Sequence, residues 1–289
     1  MRSFDAPGQR SLLQAGLARK VSPKPLDFVV LALLPCIIFS LVAGLFGFAF
    51  QDYAQLVWAL VGACSLLSLL FISMGSASGK AAQVALGILL MSAIGLGVPV
   101  GLFVERRYMR QFWEMDSGAT YREVDPASPS ASHADASVVH FQRGTFVDTT
   151  HSVGYMENGK IFCVAPIVKA GTISTYWAVG KNCCQQRGDF KCGDAHLEDG
   201  VGVVVHEGLS QYQSAARMAT ATYSSKLGQS DTDSHGNAAS GLFVQWISDA
   251  STLKSSLWDR AMFVVVVAAG LHLAGSGTAA LILGRALAS

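Results

Sequence analysis

Residues 26–50, 53–74, 81–104 and 261–283 are four nearly unbroken apolar runs, and the only Asp, Glu, Lys or Arg among them is Asp27, at the edge of the first. Each exceeds the roughly 20 apolar residues that carry a helix across a hydrocarbon core of about 30 Å. Buried helices of soluble proteins seldom run so far without a charge, so the pattern predicts four transmembrane helices. Residues 51–52 barely join the first two runs, and residues 75–80 join the second to the third. Links this short make antiparallel neighbours. A long polar stretch, 105–256, then intervenes before the fourth run.

Within that stretch the third helix is expected to continue through residue 115. Residues 116–137 are rich in Ser, Ala and Asp and hold Pro126 and Pro129, the composition of a flexible tether. Strand patterns of β-branched and aromatic residues follow at 138–141, 145–153, 160–168, 172–179 and 201–206. Glu157-Asn158-Gly159 marks a hairpin, because Asn-Gly accepts the positive φ of a type I′ turn. Leu209, Tyr212, Ala216, Ala219, Tyr223 and Leu227 recur at three- and four-residue steps, predicting an amphipathic helix over 209–227. A polar loop (228–240) and a last strand (241–247) come next, and Asp249 or Ser251 is placed to cap a helix running through Trp258 into the fourth apolar run.

The predicted fold class is therefore a membrane all-α four-helix bundle plus a small disulfide-bonded α+β extramembrane domain. Its parts are a basic N-terminal segment (1–25), three helices (26–104), a helix extension and linker (105–137), the α+β domain (138–250), and the fourth helix with a short tail (251–289).

Composition supports the membrane reading, since charged residues are only 14% of the chain and mean hydropathy is +0.38. A net charge of +1 points to no nucleic-acid partner. The basic segment 1–25 has the look of an organelle presequence, but a cytoplasmic flank of the first helix is the plainer expectation, and the apolar run after it is too long for a signal-peptide core. With four spans both termini share a side. That side holds Arg2, Arg10, Arg19, Lys20, Lys24, Lys80 and Arg285, seven basic residues against five near the membrane on the other, Arg106, Arg107, Arg110, Lys254 and Arg260. The excess places the termini in the cytoplasm and residues 105–256 in the extracellular space or a lumen. Tyr53, Tyr108, Trp113 and Trp258 would then form an outer aromatic belt.

Small residues recur at four-residue steps inside the apolar runs. Gly44, Gly47, Gly97, Gly101, Gly270 and Ala274 are the candidate helix-packing positions, where backbones approach closely in lipid. Pro35 and Pro99 are expected to bend the first and third helices. No Asp, Glu, Lys or Arg lies in a span interior, which disfavours a carrier or proton relay. His272 is the exception, expected to be hydrogen-bonded between helices beside Ser276 rather than to serve transport.

Cys36 and Cys64 sit in apolar runs, whereas Cys163, Cys183, Cys184 and Cys192 sit together in the polar region. An even number confined to one segment predicts a disulfide framework in an oxidising compartment. Adjacent cysteines rarely bond each other. One of Cys183 and Cys184 is thus expected to reach Cys163, and the other to close the short loop to Cys192. Zinc held by these cysteines with His196 is the alternative, weakened by the absence of a Cys-x2-Cys pair. Catalytic thiol chemistry lacks a Cys-x-x-Cys. Arg187-Gly188-Asp189, inside the short loop, is a possible interaction tripeptide, although a charged turn is the plainer reading. Residues 231–236 begin like a calcium loop, but the twelfth position is Leu242 instead of glutamate. His206-Glu207 lacks the second histidine of a zinc-protease helix, Gly-x-Ser-x-Gly is absent, and no Asn-x-Ser/Thr acceptor occurs. No catalytic, cofactor-binding or metal residue is assigned.

Phe162-Cys163-Val164-Ala165-Pro166-Ile167-Val168, Tyr176-Trp177-Ala178-Val179-Gly180 with Asn182-Cys183-Cys184, and Phe190-Lys191-Cys192-Gly193-Asp194 together resemble a domain that recurs in membrane proteins of alveolate, chiefly algal, protists. The resemblance covers roughly 138–250, and the family implies a domain type without an activity. The layout of four spans, a large outer loop before the fourth and a paired cysteine is also similar to tetraspanins. The doublet is followed by Gln185 where tetraspanins have glycine, the first outer loop is nearly missing, and the outer domain reads as β-rich, so no function transfers.

The function expected is that of a non-enzymatic four-span protein whose outer domain binds a partner or stiffens an assembly, as a scaffold or accessory subunit. Its partners are the lipid bilayer and other membrane proteins or a second copy of itself. The alternatives are a membrane-bound enzyme or a redox or metal protein using the cysteine region, and a neutral-solute transporter.

Overall fold

The computed structural model describes residues 25–169, 174–223 and 241–288. The basic N-terminal segment, the polar loop 228–240 with the calcium-like hexapeptide, and the end of the predicted helix 209–227 lie essentially outside these. The chain divides into two compact units, Met1–Met109 with Arg260–Ser289, and Arg110–Asp259.

The first unit is helical. α1 (Pro25–Gly44) passes through a π-turn, Leu45–Ala49, into α2 (Phe50–Ala77), and α3 (Ala81–Val104) runs into a second π-turn, Glu105–Met109. Among the described residues three helical stretches, not the expected four, are long and apolar enough to cross a membrane: Val29–Ala77, Ala81–Ser117 and Ala250–Leu283. The difference lies at residues 51–52, expected as a link between spans. Residues 51–52 lie in the first turn of α2, directly after the π-turn Leu45–Ala49, and the departure from regular helix falls on that π-turn and on Tyr53, whose φ of -127° and ψ of 35° leave the helical range.

Glycines decide how these helices meet. A Cβ on Gly97 would lie 3.1 Å from Val42, one on Gly101 2.5 Å from Phe46 and 2.7 Å from the Ala43 carbonyl, and one on Gly47 3.3 Å from Val104. Numbers rise together along both partners, so α1 and α3 run parallel. On α2 the order is reversed: Gly87 meets Ser68 and Ile72, and Gly75 meets Gln83 and Val84. A Cβ on Gly44 or Gly270, both expected to pack, would meet no other described residue within 4 Å, and Ala274 is exposed. Gly75 and Gly87, which sequence spacing did not single out, make the close approaches instead.

The second unit is built on an eight-stranded mixed sheet. α4 (Arg110–Ser117) precedes β1 (Ala119–Val124), β2 (Ala136–Phe141), β3 (Thr145–Val147), β4 (Val153–Glu157), β5 (Lys160–Lys169), β6 (Tyr176–Lys181) and β7 (Val201–Val204). α5 (Leu209–Tyr223), β8 (Leu242–Ile247) and the long α6 (Ala250–Ala288) follow. Strand order is β1-β2-β7-β8-β6-β5-β3, with β4 also on β5. β1–β2 and β6–β8 are parallel and the other pairs antiparallel.

The expected tether is corrected here. Residues 119–124 pair with β2 as an edge strand, and Ser130–His133 forms a 3-10 turn whose Ser130 N–H donates to Thr175 Oγ1 at 2.9 Å. Strand hydrogen bonds and burial of Val124 outweigh a loop-like composition. The predicted strand 145–153 is likewise two strands, parted by the turn Thr149–His151. At the β4–β5 hairpin, Asn158 and Gly159 take φ of 50° and 72°, as the type I′ turn requires.

Alternation sorts the core into two layers. Cys163, Ala165 and Ile167 of β5 join Tyr176, Ala178 and Trp246 on one face. Phe162, Val164, Trp177 and Val179 point the other way and are covered by Tyr212, Ala215, Ala216 and Ala219 of α5. Asp249 caps α6, accepting from the backbone N–H groups of Ser251 and Thr252 at 3.1 Å each.

Candidate functional site

The face of the sheet opposite α5 is covered by the loop between β6 and β7, and it carries the cysteines. β6 ends at Lys181, and the next residue, Asn182, has a φ of 59° that turns the chain out of the sheet. Its N–H donates to the Ile161 carbonyl at 2.8 Å and its Oδ1 accepts from Ile161 N–H at 2.9 Å, so the turn is fixed to β5 from both sides. Cys183 and Cys184 come next and point to different partners. Cys184 bonds Cys163 of β5, and Cys183 bonds Cys192 across a separation of nine residues. This resolves which cysteine of the doublet reaches the hairpin.

Two glycines open the space that the sulfurs occupy. Gly180 lies opposite Cys163 in the β5–β6 register, and a Cβ there would stand 2.6 Å from Cys183 Sγ and from Cys192 Cβ and Sγ. On β4, a Cβ at Gly154 would come within 3.0 Å of Cys184 Sγ. The rest of the loop is tied down by backbone bonds. Gly154 N–H donates to Gln186 O, Gly188 N–H to Ser152 O and Lys191 N–H to Cys183 O, all at 2.8–3.2 Å. Farther on, Asp194 N–H donates to the Trp246 carbonyl and Trp246 Nε1 donates to the Leu197 carbonyl at 3.2 Å, pinning the largest buried ring to the loop.

Arg187 and Asp189 are exposed on this loop, and Gly188 and Asp189 both have positive φ, 75° and 57°. The tripeptide is a turn whose acid is already engaged: Lys191 Nζ lies 2.7 Å from Asp189 Oδ1, and Gln185 Nε2 donates to Oδ2 at 3.3 Å. The Lys191 hydrogen bond holds the Asp189 carboxyl below the usual carboxylate range. Beside it opens a cavity of about 470 Å³ lined by Phe146, Asp189, Lys191, His196, Leu197 and Glu198, among others. It combines an aromatic ring with groups of both charge signs. His196 stands at this cavity and outside the group of ligand atoms formed by Cys163, Cys183 and Cys192.

Two histidine pairs escaped the sequence reading. His151 Nδ1 lies 2.6 Å from Asp148 Oδ2, and Thr150 N–H and Oγ1 both donate to Oδ1. Burial pushes the Asp148 carboxyl up, but the hydrogen bonds from Thr150 and His151 outweigh it and hold the carboxyl below its ordinary value. His133 Nδ1 lies 2.8 Å from Tyr176 Oη, and burial raises that phenol. The spacing Asp148-x-x-His151 was a readable signal for the first pair. Nothing local foretold the second, which joins residues 43 apart. A hydroxyl stands beside each imidazole, Ser132 Oγ 3.0 Å from His133 Nδ1 and Thr150 Oγ1 3.1 Å from His151 Nδ1, but Ser132 Oγ donates to the Pro129 carbonyl and Thr150 Oγ1 to Asp148, and Glu207 is held by Arg110 at 3.2 Å.

In the helical unit, His272 departs from expectation. Its ring stacks on Phe39 with centroids 4.6 Å apart, and its buried Nδ1 has no hydrogen-bond partner among the described residues. Ser276 Oγ donates to the Ala32 carbonyl on α1 at 3.0 Å. An apolar cavity of about 440 Å³ borders His272, Ser92, Leu96 and Val100.

No protein family, curated protein or solved structure matches this chain. What can be said of its function therefore rests on the geometry of its own residues.

Proposed function

We propose that this chain is a membrane-anchored interaction protein, non-enzymatic, whose disulfide-bonded sheet domain faces an extracellular or lumenal space and presents the cysteine loop to a protein partner. The observation that carries the reading is the loop itself. Two bridges and a set of backbone bonds hold it in place, Arg187 is exposed on it, and exposed Asp189 and Lys191 line a mixed aromatic and charged cavity. A displayed loop held in this way loses little entropy on binding.

In this proposal Val29–Ala77 crosses the bilayer twice. Its 49 residues would extend about 74 Å as one straight helix, more than twice a hydrocarbon core of about 30 Å. The parallel packing of α1 on α3 and the antiparallel packing of α2 on α3 support a reversal at the π-turn. Four crossings put both termini in the cytoplasm, on the side with the larger basic count.

Two measurements test the proposal. Glycosylation acceptors engineered at either terminus are expected to stay unmodified, and one placed at Gly144 is expected to be modified. Modification at only one terminus would mean an odd number of crossings and would overturn the topology. Amine cross-linking of the full-length protein in native membranes is expected to join Lys191 to a second polypeptide, another membrane protein or a second copy. Links from Lys191 confined to its own chain would overturn the interaction reading.

A further inference from the structure

The two disulfides touch. Sγ atoms of Cys163, Cys183 and Cys192 all lie within 4.8 Å of one another, although Cys163 belongs to one bridge and the other two form the second. Burial divides each bridge in the same sense. Cys163 and Cys192 are buried, whereas Cys183 and Cys184 are partly exposed and adjacent in the chain. Each bridge thus joins a partly exposed cysteine to a buried one, and the two buried cysteines lie together inside.

We propose that this pair of bridges is a thiol–disulfide exchange site for a dithiol, in which a bridge opened from the surface passes its electrons to the other bridge in the interior. A thiolate of the dithiol attacks Sγ of the partly exposed Cys183. The Cys183–Cys192 bond breaks and its electron pair leaves on Cys192 as a thiolate. That thiolate is within 4.8 Å of Cys163 Sγ and attacks it, forming Cys163–Cys192 and expelling Cys184 as a thiolate. The second thiol of the dithiol loses its proton and attacks its own partner sulfur in the mixed disulfide, closing to a disulfide and releasing Cys183. The dithiol is oxidised by two electrons. The protein keeps one bridge, now between the two buried sulfurs, and gains two thiols at adjacent surface positions, which take up the two protons.

The arrangement is what such an exchange needs. Gly180 and Gly154 leave the gap in which the sulfurs approach one another, and side-chain carbon at either would occupy it. Cys163 is anchored on β5 and Cys192 beside buried Phe190, so the new bridge forms between positions that the sheet and loop already hold close. The inference is independent of how many times the chain crosses the membrane and of which partner the loop meets.

The test uses full-length protein in detergent micelles. It is treated with one molar equivalent of dithiothreitol, quenched with acid and alkylated, and its peptides are mapped by mass spectrometry. The major once-reduced species is expected to contain a Cys163–Cys192 link, with alkylated Cys183 and Cys184 on one peptide. Once-reduced molecules carrying only Cys163–Cys184, or only Cys183–Cys192, would show that the bridges open independently and would overturn the proposal. No substitution is involved, so loss of folding cannot confuse the outcome.

Discussion

Tyr212 shows what a single buried group imposes on this protein. Its ring sits between Phe162 and Phe243, 2% exposed, and burial, with Glu207 adding to it, pushes the phenol from 10.0 to about 12. The folded chain therefore holds this proton more tightly than the unfolded chain does. Stability from Tyr212 is complete below pH 10 and is lost as pH rises through about 12. The melting temperature of the protein is expected to fall across that window, and Tyr212→Phe to flatten the fall, as followed by circular dichroism. Gly180 constrains the other face. Gly180→Ala puts a methyl group 2.6 Å from Cys183 Sγ and Cys192 Cβ, and is expected to cost about 1–3 kcal/mol in urea unfolding. A neutral result would mean that the loop yields easily and that the sulfur cluster is not closely packed.

Among elements, α3 is the one on which the helical unit depends, because both α1 and α2 bury small residues against it. Gly101→Leu and Gly87→Leu each drive a side chain into backbone atoms less than 3 Å away, so both are expected to lower the yield and melting temperature of the folded protein in detergent. Gly270→Leu on α6 meets open space and is expected to change neither by a measurable amount. If Gly270→Leu proved as harmful as the α3 substitutions, that face of α6 would be buried against something besides this chain. Spacing alone nominated Gly270 and Gly101 equally. Four-residue steps say which residues share a face but not what lies across from it, and only the packed helices separate the two.

For the whole molecule the legible part was the division into apolar helices and a cysteine-bearing strand domain. Uncharged runs of this length have few stable arrangements, and alternating apolar residues identify strands such as β5 and β6. The candidate loop was legible as a place, since Cys183, Cys184 and Cys192 crowd together in a polar stretch. Its geometry was not. The cavity beside Asp189, the contact between the two bridges and the pair His133–Tyr176 join residues remote in the chain. The strand at 119–124 was missed for a related reason, because its partner β2, not its own composition, makes it a strand.

By itself the order of residues determined where apolar helix begins, which stretches alternate, where Asn158-Gly159 turns the chain and that the cysteines of the polar stretch come in an even number. These follow from local sterics and from the period with which side chains leave a helix or a strand. Tertiary structure alone decided that Cys184 and not Cys183 reaches Cys163, that His272 stacks on Phe39 with its Nδ1 unbonded among the described residues, and that residues 51–52 stay helical. Each of those outcomes is a choice among locally equivalent options, and such choices are settled only by which distant atoms arrive within a few ångströms.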